Sequence, residues 1–127
     1  MKQGFLITNN PAVYEGYSGR AGVAYLEGKK FMDVLYFARD KIHTGHKLLS
    51  HPLSGSIKPG QTPYKSIFIS EEKGELDDGS LRIIENSIST ADKHIAQKEE
   101  LLWPDEILKD FQLIDFELIG GKNGKDI

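Results

Sequence analysis

Three histidines and four lysines fall in a stretch of this 127-residue chain that holds no acid. Lys41, His43, His46, Lys47, His51, Lys58 and Lys65 all lie between Lys41 and Ser70, where none of the 19 Asp and Glu residues occurs. Their overall frequency would place roughly four or five acids in such a window. Inside it, the run His51-Pro-Leu-Ser-Gly-Ser-Ile-Lys-Pro-Gly-Gln-Thr-Pro-Tyr-Lys65 adds hydroxyls and glycines to the positive charge. The chemistry this mixture suits is anion binding, since fixed donors and cationic groups offset the desolvation of a carboxylate or phosphate. The candidate contacts are Ser54, Ser56, Lys58 and Lys65, with His51 as both a contact and the candidate acid or base.

Other readings of the same residues are weaker. The spacing His43-x-x-His46-x-x-x-x-His51 suggests a zinc set, but Gly45 is expected to end a helix between the first two, and no carboxylate or thiolate in the window completes a tetrahedron. No metal and no cofactor is therefore expected. His43 and His46 have a simple structural role available, because imidazoles near a helix C-terminus interact favourably with its dipole. A satisfied structural histidine is also an available reading of His51. Gly55 and Gly60 have the spacing of a phosphate-binding P-loop, yet Gln61 stands where the lysine belongs and Pro63 replaces the helix start. Nothing resembling a nucleophile elbow accompanies the serines.

Composition narrows the function classes. A net charge of −3 lacks the basic surface of a general nucleic-acid binder. No apolar run reaches the length of a membrane span, and Met1-Lys-Gln-Gly-Phe-Leu-Ile-Thr-Asn-Asn10 lacks the longer apolar core of a signal peptide, so no membrane association and a cytoplasmic location are expected. With no cysteine, the chain has no disulfide, thiolate ligand or redox thiol of its own.

The elements that must position these groups follow from apolar spacing. Phe5-Leu-Ile-Thr8 reads as a buried strand, and Asn10-Pro11 as the cap and first residue of a short helix. Gly22 to Glu27 is a second strand. Phe31, Val34, Leu35, Ala38 and Ile42 recur at helical spacing, closed by Gly45. Lys47-Leu-Leu-Ser50 and Lys65-Ser-Ile-Phe-Ile-Ser70 read as the third and fourth strands. Leu81, Ile84, Ile88, Ala91 and Ile95 predict the longest helix, capped by Asp77 or Asp78. A last helix restarts at Pro104; over 111–119 the pattern fits helix and strand templates alike, and helix is favoured. This pattern predicts a small three-layer α/β domain over residues 1–119, with a mostly parallel four-stranded sheet, C-terminal helices and a frayed tail over 120–127. If the strand order is 2-1-3-4, the switch point falls between strands one and three, and Thr8-Asn9-Asn10 emerges beside Ser50-His51-Pro52 at the carboxyl edge, where such sheets bind ligands. Thr8, Asn9 and Asn10 thereby join the candidate contacts.

Five segments carry a family resemblance: Thr8-Asn-Asn-Pro11, His46-Lys-Leu-Leu-Ser-His-Pro-Leu-Ser-Gly-Ser-Ile-Lys-Pro59, Thr62-Pro-Tyr-Lys-Ser66, Leu81-x-Ile-Ile-Glu-Asn-Ser87 and Asp110-Phe-Gln-Leu-Ile-Asp115. In these the chain resembles the GrdX family, small proteins encoded in the glycine, sarcosine and betaine reductase gene clusters of amino-acid-fermenting anaerobes. The resemblance spans nearly the whole chain. It implies an accessory role around the reductase system, with a reductase component as a partner, and supplies no catalytic residue or cofactor. Three readings stand at this stage: an accessory or ligand-sensing protein that holds a small anionic metabolite or a reductase component, a small enzyme acting on a carboxylate or phosphate through His51, and a docking protein.

Overall fold

The computed structural model describes residues 4–19, 22–53, 62–96 and 103–122. Three strands, β1 (Gly4–Thr8), β2 (Gly22–Tyr25) and β3 (Ser66–Ser70), combine with four helices, α1 (Pro11–Tyr17), α2 (Phe31–His43), α3 (Asp78–Ala96) and α4 (Asp105–Lys122). The sheet order is β2-β1-β3. β2 runs parallel to β1, with Thr8 opposite Tyr25, whereas β3 runs antiparallel to it, with Thr8 opposite Ser66.

The pleat divides the core in two, because successive strand residues point to opposite faces. Ile7, Ile67 and Ile69 meet Val34, Leu35, Ala38 and Ile42 of α2, with Ile84 and Ala91 of α3 behind them. On the other face Leu6 and Phe68 meet Val13 and Tyr17 of α1 and Ile119 of α4. The ring of Tyr17 stands edge-on to Phe68 at 6.0 Å. Each face of the sheet is thus closed by a pair of helices.

The local signals at the helix ends act as their chemistry requires. Asn10 is the α1 cap, its Oδ1 accepting the Ala12 N–H at 2.9 Å, and Pro11 occupies the first helical position. Gly45 follows α2 at φ 112°, a conformation that only glycine adopts without strain. Asp77 caps α3, accepting both the N–H and the hydroxyl of Ser80 through Oδ2, at 3.0 and 2.7 Å. Residues 111–119 are helical, and α4 continues to Lys122.

Two expectations are corrected. The sheet is mixed and three-stranded, and residues 47–50 form no strand but a single antiparallel bridge, Leu48 to Ile69. Side chains interrupt the ladder there. The Phe68 N–H donates to Ser50 Oγ, and the outward Leu48 N–H donates to Ser80 Oγ. The second correction is strand order: because 47–50 pairs with β3, the strand beside β1 is β3, and no crevice between β1 and 47–50 exists.

Candidate functional site

Thr8, Asn9 and Asn10 leave the carboxyl end of β1 and meet residues 63–66 at the start of β3, together with α4. A chain of hydrogen bonds with one fixed direction runs between them. The Asn10 N–H donates to Thr8 Oγ1 at 3.0 Å, Thr8 Oγ1 and Ser66 Oγ are 2.7 Å apart, and Ser66 Oγ donates to Asp115 Oδ2 at 2.7 Å. Since Ser66 has one hydroxyl proton and spends it on the carboxylate, the Thr8 hydroxyl must donate to Ser66. The Asn10 side-chain amide donates a further bond to Asp115 Oδ2 at 3.0 Å and another to the Gln112 carbonyl at 2.9 Å.

Asn9 holds the second half of the edge. Its amide donates to the carbonyls of Lys29 and Pro63, both at 2.9 Å, and its Oδ1 accepts the Lys65 N–H at 3.0 Å. It thereby ties the turn before α2 to the segment before β3. Next to it Gln112 Nε2 donates to the Tyr64 hydroxyl at 2.8 Å. These bonds fix the backbone from which the Lys65 side chain departs.

Lys65 and Asp115 both line a niche of about 20 Å³, room for about one water, with Phe31, Tyr64, Phe111 and Leu118 among its walls. The Lys65 ammonium lies 5.9 Å from the centre of the Phe31 ring and has no ion-pair partner among the described residues. Burial pushes its pKa below the ordinary lysine value, and the Asp115 charge pulls it partly back. Asp115, only 8% exposed, is affected in the opposite sense. Burial pushes its carboxyl above the usual range, while the bonds from Asn10 and Ser66 and the Lys65 charge hold it partly down. Opposed perturbations of two groups in one recess are what binding and catalytic sites use.

Of the sequence-predicted residues, Thr8, Asn9, Asn10 and Lys65 converge here. His51 does not join them. It is exposed, and its Nδ1 accepts the Leu53 N–H at 3.1 Å. β3 lies between it and β1, so the expected meeting of Ser50-His51-Pro52 with Asn9-Asn10 is replaced by a meeting of Asn9-Asn10 with residues 63–66. Ser54, Ser56 and Lys58 lie outside the described residues. His43 and His46 stay at the end of α2, where His43 Nε2 is 3.9 Å from Glu85 and His46 Nδ1 is 2.8 Å from the Ser70 carbonyl. Among the described residues no three His, Asp or Glu side chains cluster as metal ligands, and no helix is long and apolar enough to cross a membrane.

Ser66, Asp115, Gln112 and Tyr64 are site residues that sequence reasoning passed over. Asp115 has a legible signal: Leu108, Phe111, Leu118 and Ile119 mark the inward stripe of α4, and an acid within that stripe breaks the pattern that would otherwise be apolar.

Fold and cluster together define the chain as a small α/β protein built on a mixed three-stranded sheet, with a buried polar cluster at the carboxyl end of its central strand. The family model described as GrdX-like protein matches residues 5–122, and the chain belongs to that family. No curated protein and no solved structure matches it significantly.

Proposed function

We propose that this protein is an accessory protein of the glycine, sarcosine or betaine reductase system that holds a small anion, a carboxylate or a phosphate, at the carboxyl edge of β1. The observation that carries the reading is Lys65: a partly buried ammonium in a niche with aromatic walls, with no ion-pair partner among the described residues. An anion there restores the charge that burial disfavours, and a charge-assisted contact in such surroundings is stronger than one in water. Thr8, Asn9, Asn10 and Ser66 build the edge from which Lys65 projects. Membership of the GrdX-like family is the ground for the reductase context; a cytoplasmic location and a reductase component as partner are part of the same proposal. The niche has Asp115, not His51, as its acid or base group, so the geometry favours binding over catalysis through His51.

Thermal denaturation with acetate, phosphate and acetyl phosphate tests the reading. A ligand selective for the folded state at about 100 times its Kd adds about 2.7 kcal/mol of stability. At least one of these anions raises the melting temperature of the parent, and Lys65→Met removes that rise without unfolding the protein. Equal responses of parent and variant to every anion would refute the proposal.

A further inference from the structure

We propose that the ligand of this niche is a small zwitterion, with its carboxylate on Lys65 and its ammonium on Asp115. The inference rests on the anion reading and adds the second charge. Both protein donors to Asp115, Ser66 Oγ and Asn10 Nδ2, converge on Oδ2. Oδ1 receives no hydrogen bond among the described residues, yet no fully buried side-chain oxygen or nitrogen in them lacks a partner. Oδ1 is therefore not fully enclosed, and we assign it to the niche that Asp115 lines.

Two opposite charges thus share a recess without touching. Each is close enough to feel the other, and among the described residues each is the charged group that acts on its neighbour. A simple anion on Lys65 would sit beside the Asp115 carboxylate, and one of them would have to take up a proton. A zwitterion meets both charges at once and leaves the niche neutral with no proton exchanged. Its two ends must lie within a few bonds of each other, because the room is small; Tyr64 and Lys65, both only partly buried, must turn to admit even a handful of heavy atoms. α-Amino acids with the smallest side chains have this shape.

Isothermal titration of the whole chain with glycine, acetate and methylammonium at pH 7 separates the possibilities. Each titration is run in two buffers of different ionisation enthalpy, so that proton uptake is read directly. Glycine binds at least tenfold more tightly than acetate, with no proton uptake, whereas acetate binding takes up protons. Asp115→Asn, which keeps an oxygen to accept from Ser66, retains acetate binding and loses the preference for glycine. Acetate binding as tightly as glycine, or a preference unchanged in Asp115→Asn, overturns the zwitterion assignment and leaves the anion reading standing. Methylammonium binding as tightly as glycine likewise overturns the zwitterion assignment; binding of none of the three overturns it too, and the anion reading is then decided by phosphate and acetyl phosphate.

Discussion

Asn10→Ala removes three side-chain hydrogen bonds at the carboxyl edge, and with them the cap of α1. The side chain is fully buried and makes three contacts: Oδ1 caps α1 at the Ala12 N–H, and Nδ2 reaches the Gln112 carbonyl and Asp115 Oδ2. Loss of the cap costs about 0.5–2 kcal/mol. Loss of the bond to a charged acceptor costs about 1.5–3 kcal/mol. The Gln112 carbonyl lies within α4 and keeps its place in the helix ladder, so that bond adds about 0.5 kcal/mol or a little more. Allowing for non-additivity among neighbours, the total is about 3–4 kcal/mol. α1 has only seven residues and cannot persist without its cap and its tie to α4. Asn10→Asp is the companion variant, since it keeps the cap acceptor but sets a second carboxylate against Asp115. Two adjacent carboxylates raise each other's pKa, so its deficit is largest at neutral pH and shrinks as the pH falls into the carboxyl range. Urea denaturation at pH 7 and pH 5 measures both. An Asn10→Ala loss under about 1 kcal/mol, or an Asn10→Asp deficit that grows on acidification, would refute the reasoning.

Three other perturbations probe separate links. Ile84→Ala truncates a fully buried side chain of α3 in the larger core cluster and costs about 2–5 kcal/mol by chemical denaturation while leaving Lys65 and Asp115 in place. Gly45→Ala forces a Cβ against the Gly74 backbone at a positive φ, so it lowers the melting temperature more than the same change at exposed Gly79. Asp77→Ala removes the α3 cap, whose pKa is held below the ordinary carboxylate value chiefly by the Ser80 hydroxyl bond. A depressed carboxyl contributes stability that is present above its unfolded pKa and lost as the pH falls through its folded one. The gap in melting temperature between parent and variant is therefore full at pH 7 and narrows as the pH falls below the ordinary carboxyl range.

Much of the fold is legible because its signals are local. Asn10-Pro11, the stripe from Phe31 to Ile42 closed by Gly45, and the stripe from Leu81 to Ile95 each specify an element and its ends, and each appears where its chemistry puts it. Residues 47–50 and 66–70 carry similar strand propensity, yet only the second pairs fully. The difference lies in Ser50, whose hydroxyl takes the Phe68 N–H from the ladder 18 residues away, while Ser80 satisfies the outward Leu48 N–H from 32 residues away. Propensity does not record such contacts. Strand order is likewise non-local, so the sequence marks the Thr8-Asn9-Asn10 turn without marking the segment it meets. The site divides in the same way. Lys65 draws attention through the acid-free window, whereas its counterpart Asp115 lies 50 positions further along the chain and stands out only as an acid in an apolar helix stripe.

The central claim, that Lys65 is the cationic contact of a small-anion site, is tested most directly at its own nitrogen. Titration of the lysine side chains by NMR, with Lys65 assigned through the Lys65→Met variant, reads its protonation with and without saturating acetate or phosphate. Burial disfavours the ammonium and a bound anion favours it. The account predicts that Lys65 titrates below the exposed lysines in the free protein and that its pKa rises when the anion is present. A Lys65 resonance that titrates with the exposed lysines and does not respond to either anion would contradict it.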